Sequence, residues 1–176
     1  MGAFDHHTKI SVYQKILIIM IIQTEVKVFS DRTKLPLRDA DLLTIAYEAA
    51  KHAYAPYSRF KVGAAVLLKN GHIISGNNQE NAVYPSGMCA ERVALFYAAA
   101  QFPETPIEKI AITAIGNEKE TNRPVPPCGS CRQSLLEYEI KFGEPIEVII
   151  AGAKGEVYIV KSVAELLPLS FNNDFL

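Results

Sequence analysis

The order of apolar and polar residues along the chain predicts three helices and five core strands. Leu42, Leu43, Ala46, Ala49, Ala50 and Ala53 recur at the spacing of one helix face behind the capping candidates Asp39 and Asp41. A first helix is therefore expected over 38–54, stopped by Pro56. Two apolar stretches, 62–68 and 72–75, flank Asn70-Gly71, a dipeptide suited to a tight hairpin turn, and predict two antiparallel strands. Strong helix formers fill 89–100; 107–115 reads as a strand, 131–142 as a helix, and 146–151 and 157–160 as strands. Elements mixed in this order predict an α/β domain, a three-layer α/β/α arrangement in which helices cover both faces of a mixed five-stranded sheet. The one long loop, 116–127, is rich in Asn, Glu, Thr and Pro.

With 176 residues there is room for one core. A hydrophobic fraction of 49% excludes a disordered chain. The domain proper is assigned to 38–176, and 1–37 is read as an N-terminal extension, partly disordered or supplying an added edge strand through 25–29. An alternative takes Met20 as the natural start. The apolar run 16–22 is far shorter than the about 20 residues needed to cross a bilayer. Gln23-Thr24-Glu25-Val26 after it offers no small-residue cleavage site. The chain is thus expected to be cytoplasmic, without a membrane partner. Lys and Arg number 18 against 19 Asp and Glu, so no overall field draws a polyanion, and nucleic acid is not an expected partner.

Three cysteines are too few, and odd in number, for a disulfide framework. Cys128 and Cys131 are three apart at a helix start, so one turn brings their sulfurs together. The pair alone suits a redox dithiol or half a zinc site. Cys89, also at a helix start, tips the balance toward zinc, because all three cysteines then have one use. Three protein ligands leave the fourth tetrahedral position open to water, the pattern of a catalytic zinc site. Glu91, two residues after Cys89, is the candidate proton carrier. Three thiolates and one zinc sum to −1, and two helix N-termini at roughly +0.5 each bring the local charge near zero. Arg92 and Arg132 adjoin the ligands, and Arg92 is assigned the hydrogen bond that compensates a ligand thiolate. The four histidines, His6, His7, His52 and His72, have no ligand spacing.

Cys89-Ala90-Glu91-Arg92, with Pro127-Cys128-Gly129-Ser130-Cys131-Arg132-Gln133, resembles the cytidine deaminases of the small, homotetrameric, three-cysteine type, and matches the general signature of zinc deaminases. The resemblance extends to Ala55-Pro56-Tyr57-Ser58-Arg59-Phe60-Lys61-Val62-Gly63-Ala64-Ala65, to Asn78-Gln79-Glu80-Asn81-Ala82-Val83-Tyr84 and to Leu166-Leu167-Pro168-Leu169-Ser170-Phe171, covering about 42–171. It implies one zinc per subunit on Cys89, Cys128 and Cys131, with Glu91 moving protons between water, N3 of the base and the leaving ammonia. It further implies ribose contacts from Asn78 and Glu80, Phe60 against the pyrimidine, the backbone N–H of Ala90 on the base carbonyl, and Tyr57, Tyr84 and Phe171 around the site. Some of these would come from neighbouring subunits of a homotetramer.

The implied activity is hydrolysis of cytidine and deoxycytidine to uridine and deoxyuridine, in pyrimidine salvage. A deaminase of a nucleoside-like antibiotic such as blasticidin S is the alternative. A polynucleotide deaminase would need a basic stripe, and a non-enzymatic zinc module or dithiol protein leaves Glu91 and 78–84 without a use. The chain departs from the family pattern at Asn77, where many relatives are expected to carry cysteine, at Gln79, where a branched apolar residue is expected, and in the long loop before Pro127.

Overall fold

The computed structural model describes residues 19–116 and 121–176. Residues 1–18, with His6, His7 and most of the segment on which the Met20 reading turns, lie outside the described residues, as do 117–120 of the long loop. In chain order the elements are β1 (Val26–Phe29), α1 (Leu37–Lys51), β2 (Phe60–Leu68), β3 (Ile73–Asn77), α2 (Ala90–Gln101), β4 (Ile107–Gly116), α3 (Gly129–Phe142), β5 (Glu147–Ala151) and β6 (Val157–Val160).

One sheet runs β1-β6-β5-β4-β2-β3, antiparallel throughout except for the pair β4 and β5 joined by the α3 crossover. The three-layer arrangement is as expected, with six strands in place of five. The sixth is β1, which pairs with β6 at the sheet edge, Val26 opposite Val160 and Phe29 opposite Val157. Central strands are buried on both faces, and for that reason read as continuous apolar runs. Alternation then sorts the side chains: Ala64, Val66 and Leu68 of β2, with Ile110 and Ile112 of β4, face α2 and α3. Ala65, Leu67 and Ala111 face Leu42, Leu43 and Ala46 of α1. No helix among the described residues is long and apolar enough to cross a membrane.

Several boundaries differ from the sequence pattern, each for a local reason. Helix α1 begins at Leu37 behind Pro36, not at a capping aspartate. Asp39 lies buried in its first turn, where its carboxylate meets Lys109 Nζ at 2.7 Å, and Lys109 also reaches Glu147 at 2.7 Å. Burial would lower the Lys109 pKa, but the hydrogen bonds to Asp39 and Glu147 outweigh it and leave it raised. The helix ends at Lys51, short of residue 54, because the backbone of Tyr54 is taken by the segment after β3: Tyr54 N–H donates to Asn78 O at 3.0 Å and Glu80 N–H to Tyr54 O at 2.8 Å. The β2–β3 hairpin turns through three residues. Gly71 N–H donates to Leu68 O, Leu68 N–H to His72 O, and Gly71 takes φ +88°, the left-handed conformation that closes such a turn.

Two glycines let helices lie directly on the sheet. A Cβ on Gly63 would fall 2.0 Å from Ala46 O of α1, and one on Gly76 would fall 2.6 Å from Ala94 N and 2.9 Å from Ala90 O of α2. The second contact fixes the height of the α2 N-terminus. Gly76→Ala is expected to cost about 3 kcal/mol or more in chemical denaturation and to weaken metal retention as well, because the helix that must move carries Cys89 at its cap.

Candidate active site

Helices α2 and α3 start side by side, and a cysteine caps each: Cys89 for α2 and Cys128 for α3, both extended in backbone and neither making a side-chain cap bond. The first intrahelical bonds are Val93 N–H to Cys89 O and Arg132 N–H to Cys128 O, so the N–H groups of residues 90–92 and 129–131 have no partner within their helices. Cys131, fully buried in the first turn of α3, completes the cluster. The Cys89 and Cys128 sulfurs are 3.9 Å apart, those of Cys128 and Cys131 3.5 Å, and all three lie within 4.8 Å of one another. Tetrahedral zinc with bonds of about 2.3 Å requires sulfurs about 3.8 Å apart, so the set fits zinc.

The electrostatics of the thiols point the same way. Hydrogen bonding from the Cys131 thiol, then from Arg92 and Cys128, holds the Cys89 thiol down to about 5 against the opposing effect of burial. Cys131 is pushed up, first by that same bond to Cys89 and then by burial. The pair thus keeps its negative charge on Cys89, and a metal that takes all three sulfurs must displace the remaining protons. Arg92 Nη2 lies 3.9 Å from Cys89 Sγ, while its buried Nε has no hydrogen-bond partner among the described residues. Arg132 is committed elsewhere: Nε donates to Pro127 O and Nη1 to Leu166 O, each at 2.8 Å, which ties the α3 start to the C-terminal segment. Glu91 is buried, and desolvation pushes its carboxyl up, with the Cys89 charge adding to the effect.

The second half of the long loop delivers Cys128. Thr121 Oγ1 accepts from Ala153 N–H at 3.0 Å, and Val125 N–H donates to Ala151 O at 3.4 Å. A Cβ on Gly152 would fall 2.2 Å from Thr121 O, so the loop rests on the β5–β6 turn.

A cavity of about 520 Å³ opens beside the sulfurs, lined among others by Tyr57, Asn78, Glu80, Tyr84, Cys89 and Arg92. Phe60, Ala90, Glu91 and Phe171 are not among its lining residues. Ala90 is buried at the first position of α2, and Phe60 is half-buried at the start of β2. Phe171 lies exposed beside α3, stacked on Phe175 at 5.6 Å, and its carbonyl accepts from Gln133. Tyr57 and Tyr84 meet edge to face at 6.4 Å on the rim.

Asn78 and Glu80 spend much of their bonding capacity on the protein itself. Asn78 Oδ1 accepts from Val62 N–H at 2.7 Å and Nδ2 donates to Phe60 O at 3.0 Å. Glu80 Oε2 accepts from Tyr57 N–H at 2.9 Å and Ser58 N–H at 3.2 Å, and Oε1 from the Ser58 hydroxyl. These bonds, the Ser58 hydroxyl first, hold the Glu80 carboxyl below its ordinary range. Sequence reasoning gave Ser58 no role, although a serine two residues before a strand is a recognisable turn former. The unusual pair Asn77 and Gln79 also has a use: Gln79 Nε2 donates to Asn77 Oδ1, and Asn77 Nδ2 to Ala49 O near the end of α1.

Three sulfurs at two helix starts, with a buried carboxyl beside them, define an α/β protein with a catalytic type of zinc site. Residues 37–142 match the family described as the cytidine and deoxycytidylate deaminase zinc-binding region. The chain is 42% identical over 130 residues to the cytidine deaminase of Halalkalibacterium halodurans, covering 74% of this chain and 91% of that one. The crystal structure of cytidine deaminase from Burkholderia pseudomallei superposes with a TM-score of 0.65 at 41% identity, covering 74% of this chain and 97% of that one. That of Mycobacterium leprae gives 0.56 at 33% identity, covering 73% and 95%. The chain belongs to the cytidine and deoxycytidylate deaminase family.

Zinc content provides the direct check. The purified protein is expected to carry one zinc per chain by elemental analysis, and Cys131→Ser to retain less than about a tenth of it. Wild-type content in that variant would remove Cys131 from the ligand set.

Proposed function

We propose that the chain catalyses the hydrolytic deamination of cytidine and deoxycytidine, giving uridine or deoxyuridine and ammonia. The observation that carries this reading is the three-sulfur cluster with the buried Glu91 carboxyl at its edge. Zinc on Cys89, Cys128 and Cys131 supplies the Lewis acidity that lets water act as a nucleophile near neutral pH. Glu91 takes one proton from the attacking water and hands it to N3 of the base as the C4–O bond forms; it then takes the second proton from the oxygen now on C4 and passes it to the amino group, so that the C4–N bond breaks to release ammonia and leave the C4 carbonyl. Its buried carboxyl suits a group that must hold a proton for part of the cycle. Arg92 offsets thiolate charge through Cys89, which keeps the site electrophilic.

Asn78 and Glu80 are assigned to the sugar hydroxyls, Phe60 to the pyrimidine face and the Ala90 N–H to the base carbonyl. The cavity lining includes one carboxylate, Glu80, and one guanidinium, Arg92, which already faces a sulfur. That balance favours an uncharged nucleoside over a phosphorylated substrate. Residues 38–176 form the enzymatic domain in this reading, with 1–37 an extension whose β1 widens the sheet, and the enzyme works in the cytoplasm. We assign a homotetramer in which Tyr57, Tyr84 and Phe171 complete neighbouring sites, since Tyr84 is 78% and Phe171 59% exposed in the single chain.

Two experiments test this reading. Ammonia release is measured with cytidine, deoxycytidine, blasticidin S and single-stranded DNA. Turnover is expected with the two nucleosides alone, and Glu91→Gln is expected to keep its zinc while losing about a thousandfold in kcat. Release from none of the four would overturn the reading, and an unimpaired Glu91→Gln would overturn the role of Glu91. Light scattering should give a particle of four times the 19.4 kDa chain mass. A fully active monomer at assay concentration would rule out shared sites.

A further inference from the structure

We propose that Ser58 is a positioning residue: its hydroxyl couples the Glu80 carboxylate to the aromatic wall at Phe60 and thereby sets affinity for the sugar of the substrate. The inference rests on the deaminase reading and on the sugar role assigned to Glu80. The geometry is a closed circuit. The Ser58 hydroxyl donates to Glu80 Oε1 and accepts from Phe60 N–H at 3.0 Å, while Phe60 O accepts from Asn78 Nδ2 at 3.0 Å. Both backbone groups of Phe60 are thus held by side chains of the sugar-binding set, one through Ser58 and one directly.

Acceptor counting gives the circuit a consequence for the ligand. A carboxylate offers about four acceptor positions. Three on Glu80 are taken, two on Oε2 by the Tyr57 and Ser58 N–H groups and one on Oε1 by the Ser58 hydroxyl. One position remains for a substrate hydroxyl, on the oxygen that Ser58 orients. Pro56, Tyr57, Ser58 and Arg59 are exposed, and Arg59 takes φ +56°, a conformation side chains rarely adopt. Because Ser58 is exposed, water can replace its hydroxyl in the folded protein at small cost, whereas water cannot keep Glu80 Oε1 in one orientation. Loss of the hydroxyl should therefore be felt in binding more than in folding or chemistry.

The experiment compares wild type, Ser58→Ala and Ser58→Thr on cytidine, 2′-deoxycytidine and 3′-deoxycytidine, with melting temperature measured alongside. Ser58→Ala is expected to raise KM for cytidine about tenfold, with kcat within about threefold and the melting temperature within about 2 °C of wild type. Ser58→Thr, which keeps the hydroxyl, should recover most of the loss. The KM penalty should vanish on whichever deoxy analogue lacks the hydroxyl that Glu80 accepts from, a selectivity that a general loosening of the fold would not produce. An unchanged KM in Ser58→Ala, an equal penalty on all three nucleosides, or a Ser58→Thr as impaired as Ser58→Ala would each overturn the proposal while leaving an active wild type and its function intact. A wild type inactive on all three would overturn the deaminase reading and this inference with it.

Discussion

Three sulfurs within 4.8 Å of one another are the constraint around which this fold is arranged. As thiolates they repel, so they can be gathered only where positive charge is already present and where the backbone cannot relax away. Two helix N-termini supply the charge, through N–H groups with no partner within their helices. The sheet supplies the rigidity. Gly76 lets α2 rest on β3 without an intervening side chain, and the 121–126 segment lies across the β5–β6 turn over Gly152, which fixes where α3 begins. Arg132 then ties that start to Pro127 and Leu166, leaving Arg92 as the guanidinium that meets the sulfurs. The two arginines look equivalent in sequence, each following a ligand closely, but Arg92 meets a sulfur and Arg132 meets backbone carbonyls.

The metal half of the site was legible because its information is local. A pair of cysteines three apart and a cysteine two before a glutamate describe contacts made within one helical turn, and nothing distant has to be known to read them. The central strands were legible for a related reason: burial on both faces leaves an uninterrupted apolar run. Errors gathered where a long-range contact overrode a local preference. Asp39 reads as a helix cap, yet it is drawn into the first turn by Lys109, seventy residues away. Ala53 reads as a continuation of α1, yet the helix stops because Tyr54 is claimed by Asn78 and Glu80. By contrast, the edge strand expected over 25–29 is present as 26–29, reaching the sheet through β6 at the other end of the chain.

The wall proposed for the substrate rests on the resemblance alone, because its side chains are bonded to distant backbone. Asn78 and Glu80, taken from sequence as ligands waiting for a sugar, are at the same time the struts of the 57–62 segment. Neither role excludes the other: an amide or carboxylate bonded on one side is better oriented on its free side. Spacing alone does not reveal such double use, since twenty or so residues separate the struts from what they support.

The two halves meet through one short piece of backbone. Gln79 N–H donates to Met88 O at 2.9 Å and Met88 N–H to Gln79 O at 2.8 Å, an antiparallel bridge whose two residues sit between Asn78 and Glu80 on one side and next to Cys89 on the other. The residues assigned to the sugar and the first metal ligand are therefore registered by a pair of hydrogen bonds and a single peptide step. In the proposed reading a base presents C4 to the metal while its sugar reaches Asn78 and Glu80, and this bridge sets the distance between those two demands. Asn77 and Gln79 reinforce it from beneath by anchoring the same segment to Ala49 of α1. Both polar side chains, set where the sequence pattern was expected to carry cysteine and a branched apolar residue, are thus spent on holding the register of this backbone.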